Sequence, residues 1–132
     1  MSNYQAPLRD MRFVIHELVE SGPICALPGY ADCDAGLIDA VLEEAARFAG
    51  DVLSPLNPVG DRDGARWLAG ADGKGEVRTA AGFADAYTQF AEGGWMALPC
   101  PPDYGGQGLP RLLAVAVSEM WKSANLSFSH VI

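Results

Sequence analysis

The sequence predicts a mostly α-helical fold broken by one small irregular β-hairpin, and three observations carry that reading. Apolar residues recur at three- and four-residue spacing through "PLRDMRFVIHELVE", through the segment from Ala35 to Leu53, through "AAGFADAYTQFAEGG" and through "RLLAVAVSEMW". The two short runs with strand character, "ARWL" and "EVRT", flank the turn formers Asp72-Gly73 and Lys74-Gly75. Hydrophobic residues make up 49% of 132, enough for one domain with a real core.

Taken in order, residues 7–20 place Leu8, Met11, Val14, Ile15, Leu18 and Val19 at helical spacing, with Pro7 suited to the first turn. Gly22, Pro23, Pro28 and Gly29 then break the pattern, and Asp32 or Asp34 can cap the next helix by accepting from its orphan N–H groups. That second helix begins near Ala35. Leu37, Ile38, Val41, Leu42, Ala45, Phe48, Ala49, Val52 and Leu53 form its apolar stripe, while Asp39, Glu43, Glu44 and Arg47 take the other side. From Ser54 to Thr79 the helical period is lost, and the segment reads as irregular chain leading into the hairpin. Thr79 is the expected cap of a third helix carrying Phe83, Ala86, Tyr87 and Phe90, with a left-handed stop at Gly93 or Gly94. Leu112, Leu113, Ala116, Val117, Met120 and Trp121 share a face of the next helix, and Ser123 or Asn125 marks a break before a last helix that stops mid-pattern at Ile132.

Composition excludes several functions. Nine basic against seventeen acidic residues give a net charge of −8, which disfavours nucleic acid and anionic lipid as partners. No apolar run approaches the ~20 residues of a membrane span, and "MSNYQAPLRD" lacks a signal-peptide layout, so the expected location is cytoplasmic. Cys25, Cys33 and Cys100 show no C-x-x-C spacing and neither His16 nor His130 stands at ligand distance from them, so no zinc site is expected. Reduced thiols are the expected state, although Cys25 and Cys33 share one loop and could pair. Asp61, Asp63 and Asp72 are similar to a calcium loop only until Ala65 and Gly64, which hold the wrong positions. Glu43 and Glu44 are adjacent and point ~100° apart on a helix, a poor arrangement for joint acid–base work. The glycines of "GGWMALPCPPDYGGQGLP" follow neither phosphate-loop spacing. No catalytic, metal-ligating or cofactor-binding residue is nominated by motif.

One longer pattern does carry a function. Trp95, Leu98, Pro101 or Pro102, Tyr104, Gly105, Gly106, Gly108 and Glu119 occur in the order and register of the acyl-CoA dehydrogenase family, whose N-terminal helical domain "FAEGGWMALPCPPDYGGQGLPRLLAVAVSEMWKSANLSFS" closely resembles. "YQAPLRDMRFVIHEL", "ALPGY" and "LEEAARFAGDVLSPLNPVGDRDG" resemble an N-terminally extended subgroup that includes methylthiopropionyl-CoA dehydrogenase-like proteins.

The resemblance implies an extension over residues 1–34 and the N-terminal helical domain over 35–132, incomplete at its end and truncated before the flavin-binding β domain. Members of the family use FAD to oxidise the α,β bond of an acyl-CoA, with a carboxylate base supplied by a C-terminal helical bundle. The chain would then contribute a wall of the acyl pocket and be inactive alone, with FAD bound by the parent and not by this piece. Its expected partners are the acyl-CoA, the missing flavin and C-terminal helical domains and further copies of itself. Counting from Glu119, the residues bordering the pocket are Phe128, Ser129 and Ile132, with Phe128 and Ile132 on one helix face. The glycine loop is a structural joint in this reading, anchored by Trp95 and Tyr104. The competing reading is a free-standing, non-catalytic helical module for binding or assembly.

Overall fold

In the computed structural model, which describes residues 4–71, 73–130 and 132, the order of elements begins with α1 (Leu8–Phe13), α2 (Ser21–Cys25) and α3 (Ala35–Phe48). There follow α4 (Ser54–Asp63), the strands β1 (Arg66–Ala69) and β2 (Gly75–Arg78), then α5 (Phe83–Glu92), α6 (Arg111–Ala124) and α7 (Leu126–Ser129). The mostly helical reading with one small hairpin is borne out. Asp34 is the cap the sequence offered for α3: its carboxylate accepts from the Leu37 N–H at 2.7 Å.

Two π turns shape the helical layer. Val14–Leu18 continues α1 and Ala49–Leu53 continues α3, and in each the N–H after the turn reaches five residues back, Val19 to Val14 and Ser54 to Ala49. The second turn explains why helix persists where the sequence predicts irregular chain. Pro55 sits in the first turn of α4, where its missing N–H costs nothing, directly after the widened turn. The buried side of α4 is built from Ser54 and Gly60 as well as Leu56 and Val59, so its stripe is carried partly by small residues that a hydrophobic pattern does not register. Gly60 lies against the Phe83 ring; a Cβ there would come within 2.6 Å of it.

The hairpin pairs Trp67 with Val77 and Leu68 with Glu76 in antiparallel register. Thr79 does not cap α5, which starts later, behind Gly82 in the left-handed region at φ 84°. The stop after α5 comes at Gly94, φ 70°.

The core lies where α3 and its π turn pack along α6, with α7 closing against α4. Leu42, Ala45, Ala49 and Leu53 face Leu113, Val117, Met120 and Trp121, all buried. An aromatic cluster fills one end: Trp121 makes edge-to-face contacts with Phe48, Phe90 and Trp95 at centroid separations of 5.4, 5.8 and 5.2 Å. Such pairs are worth ~0.5–1.5 kcal/mol each beyond area burial. The N-terminal segment is tied to this body. Arg12 on α1 pairs with Asp39 at 3.1 Å and with Glu43, and the Tyr4 N–H donates to the Ser54 hydroxyl. Burial, then the charge of Glu119, pushes the Tyr4 phenol up, while a hydrogen bond with Ser123 opposes that shift.

Candidate functional site

Beside the aromatic cluster the chain leaves a cavity of about 360 Å³. Most of its wall comes from three segments. The end of α5 gives Phe90, the segment after Gly94 gives Trp95, Met96 and Leu98, and α6 gives Ala114, Val117, Ser118, Trp121 and Lys122. Ser129 and Ile132 complete it. A second groove of about 570 Å³ adjoins it, sharing Pro99, Ala114, Ser118 and Lys122 and adding Arg111, Val115, Glu119 and Ser123. Ala114, Ser118 and Lys122 are four residues apart on α6, so one row of that helix forms the ridge between the two spaces.

The sequence-predicted trio divides. Ser129 and Ile132 line the cavity, but Phe128 does not: it is 1% exposed and lies beneath, against Phe83 and Phe90 at 5.9 Å from each. The shared face expected for Phe128 and Ile132 also lacks its helix, because α7 ends at Ser129; Val131 lies outside the described residues. Ser129 is turned to local duty, its hydroxyl donating to the Leu126 carbonyl at 3.1 Å. The wall is therefore apolar apart from Ser118 and the exposed Lys122 at its edge. Sequence reasoning missed Phe90, Met96, Val117 and Trp121 as lining residues. The signal was present in "GGWMALP", which places a tryptophan and a methionine directly before the glycine loop, but it reads equally as packing.

The glycine loop is closed on itself. The N–H groups of Gly105, Gly106, Gln107, Gly108 and Leu109 donate to the carbonyls of Pro102, Pro101, Ala97, Cys100 and Leu98, and the Gln107 side chain donates to Gly94. Gly106 is required sterically, since a Cβ there would run into the Cys100 carbonyl. With these amides engaged the loop is a joint and offers no nest for a phosphate. Trp95 anchors it on Trp121. Tyr104 does not, contrary to expectation: at 86% exposed it buries almost nothing.

A second polar cluster went unseen in the sequence. His16 Nδ1 lies 2.9 Å from the Ser21 hydroxyl and Nε2 lies 3.0 Å from Asp39 Oδ1. The carboxylate can only accept, so Nε2 carries a proton and donates it to Asp39. The hydrogen bond from His16 first, and then Arg12, holds the Asp39 carboxyl below the usual carboxylate range. The residue types are those of a hydrolase triad, but Ser21 is 4% exposed and the crevice it shares with Pro110, Leu112 and Leu113 has no room for water. A nucleophile needs a reachable oxygen. This cluster instead holds α1, α2 and α3 together. Among the described residues no group of three or more His, Cys, Asp and Glu could hold a metal ion, and no helix is long and apolar enough to cross a membrane.

Comparison with known proteins supplies a relative. The chain is 38% identical over 125 residues to 3-methylmercaptopropionyl-CoA dehydrogenase of Ruegeria pomeroyi (strain ATCC 700808 / DSM 15171 / DSS-3), a match that spans 95% of this chain and 20% of that protein. No protein-family model matches the chain.

Proposed function

We propose that this chain, a relative of the acyl-CoA dehydrogenases along 95% of its length, is the N-terminal helical part of such an enzyme, with residues 1–34 as its extension and 35–132 as the domain proper, and that its apolar cavity forms one wall of the acyl pocket. The observation that carries the reading is the cavity itself: about 360 Å³, walled by Phe90, Trp95, Trp121 and Val117, with Ile132 at its edge. Removing hydrogen from the α,β bond of an acyl thioester calls for a pocket that keeps water from the reacting carbons. Aromatic and aliphatic walls do that for the tail, and this chain's part is to bind and orient it.

The carboxylate base and the electron acceptor belong to the rest of the parent in this reading. FAD, the acceptor the family resemblance implies, does not fit the residues here: the loop amides are engaged, and Arg12, Arg47, Arg62, Arg66 and Arg78 already pair with carboxylates. A dinucleotide diphosphate needs free amides or cations of that kind. The reading includes an oligomeric, cytoplasmic parent that is complete only with its other domains, and a chain that is inactive alone. The relative's name specifies a short acyl group carrying a thioether. Met96 and the faces of Trp95 and Trp121 are soft surfaces suited to sulfur, so a thioether acyl-CoA belongs in the substrate series.

The test is a chain-length series in the full-length parent with flavin content matched between variants. Ile132→Ala should favour longer acyl-CoAs over short ones in kcat/KM by ~1–3 kcal/mol, the worth of a methylene-sized change in an apolar pocket. Phe128→Leu, in the core beneath, should leave the length profile unchanged. An equal loss at every length for Ile132→Ala would overturn the pocket reading.

A further inference from the structure

The loop between α2 and α3 brings two thiols together. Cys25, the last residue of α2, and Cys33, immediately before the cap Asp34, are eight residues apart with Sγ atoms 3.1 Å from one another, and both are free. Three successive backbone bonds create the approach: Leu27 N–H to Ile24, Tyr30 N–H to Leu27 and Cys33 N–H to Tyr30, at 2.9 to 3.1 Å. The thiols are thus aligned by the backbone of the loop rather than by side-chain chance. They also differ in access, Cys25 being half-buried and Cys33 buried.

We propose that Cys25 and Cys33 are a reversible dithiol–disulfide pair, a modification site at which oxidation staples the end of α2 to the start of α3. The oxidant is a small disulfide of the glutathione class. Cys25, the reachable sulfur, attacks as thiolate and breaks the oxidant's S–S bond, giving a mixed disulfide and releasing one glutathione thiolate, which takes up a proton. Cys33 then gives up its proton as its sulfur attacks Cys25 Sγ, and the second glutathione leaves. Two thiols lose two electrons and two protons, and the oxidant becomes two thiols. The order of attack follows from burial. The Cys33 thiol is pushed up to about 12, first by desolvation and then by its hydrogen bond with Cys25, so it waits as a thiol until the neighbouring sulfur is activated. The staple would fix α2, which carries Ser21 against His16 and lays Ile24 over the start of α6 at Pro110 and Leu113.

The chain, purified under reductant, is equilibrated across ratios of oxidised to reduced glutathione, quenched with acid, unfolded and alkylated for mass measurement and peptide mapping. Cys25 and Cys33 should together become unalkylatable with a Cys25–Cys33 linked peptide, Cys100 staying outside the link either free or carrying one glutathione, and all three thiols should return in excess reduced glutathione. Cys25→Ser and Cys33→Ser should each prevent the link, whereas Cys100→Ser should retain it. Chymotrypsin cleavage after Tyr30 should leave the two halves joined until a reductant is added. Three alkylatable thiols at the oxidising end, a link that uses Cys100, or arrest as a mixed disulfide at Cys25 would each overturn the proposal.

Discussion

Asn125 decides how the last part of the chain lies. It is fully buried between α6 and α7; its side-chain amide donates to the Leu53 carbonyl at 3.1 Å, and its oxygen accepts from the Phe128 N–H at 3.0 Å. One side chain thus caps α7 and ties it to the π turn seventy-two residues away. Asn125→Ala removes the cap, worth ~1 kcal/mol, and strands a buried polar group at ~1–3 kcal/mol. The variant should lose about 2–4 kcal/mol in urea unfolding with an unchanged slope; a loss under about 0.5 kcal/mol would show that water replaces both bonds. Asp39 adds a contribution that depends on pH. Its folded value is depressed below 3.8, so its stabilisation is present above that value and is lost as the pH falls through the depressed one. Because the carboxylate is 39% exposed, screening keeps the contribution near ~0–1 kcal/mol. Asp39→Asn should therefore lower the urea midpoint slightly near neutrality, with the gap closing in acid; a gap that persists there points to packing. Asn125 was legible as one of two candidate breaks. The His16, Ser21 and Asp39 cluster was not, since the His16–Asp39 contact joins residues twenty-three apart on different elements, a relation no local pattern encodes.

At the scale of elements, the sequence reveals helices where the buried side is greasy and hides them where it is small. The stripe from Leu37 to Leu53 reads directly, and so does Asp34. α4 does not, because Ser54 and Gly60 fill buried positions and Pro55 and Pro58 mimic a break. The glycine loop shows the converse, a motif easily read and with a sharp steric demand. Gly106 has an ordinary backbone conformation, but its missing Cβ makes room for the Cys100 carbonyl, which itself accepts from the Gly108 N–H at 2.8 Å. Gly106→Ala forces that strand of loop apart and breaks the Gly108 bond, along with the neighbouring Leu109 to Leu98 bond at 3.0 Å. The expected cost is ~2–4 kcal/mol, the range of overpacking plus one or two lost bonds. Gly64→Ala provides a comparison: it carries backbone strain at φ 58° but meets no atom within 4 Å, so its loss should be the smaller of the two. Equal losses would mean that the loop relaxes away from the Cys100 carbonyl, so that the contact at Gly106 costs no more than backbone strain does at Gly64.

Over the whole molecule, fold class and kinship were legible because they rest on long patterns, the apolar stripes and the ordered motif from Trp95 to Glu119. The shape of the candidate site was not, because the cavity wall is assembled chiefly from α5, the loop and α6, and because the count that reached Ser129 and Ile132 also put Phe128 on the wall, where the turn at Asn125 instead buries it in the core. The same whole-chain view yields a prediction about the cofactor. A net charge of −8 repels a dinucleotide diphosphate, the loop amides face their own carbonyls, and five arginines are already paired. The 132-residue chain, mixed with excess FAD and passed through gel filtration, should therefore emerge without flavin absorbance, and titration should show no saturable quenching of flavin fluorescence. Salt provides the control, since weak association through Lys122 or Arg111 alone would vanish as ionic strength rises. Stoichiometric flavin that survives both filtration and salt would place a cofactor site on this chain and reverse the division of labour proposed for its parent.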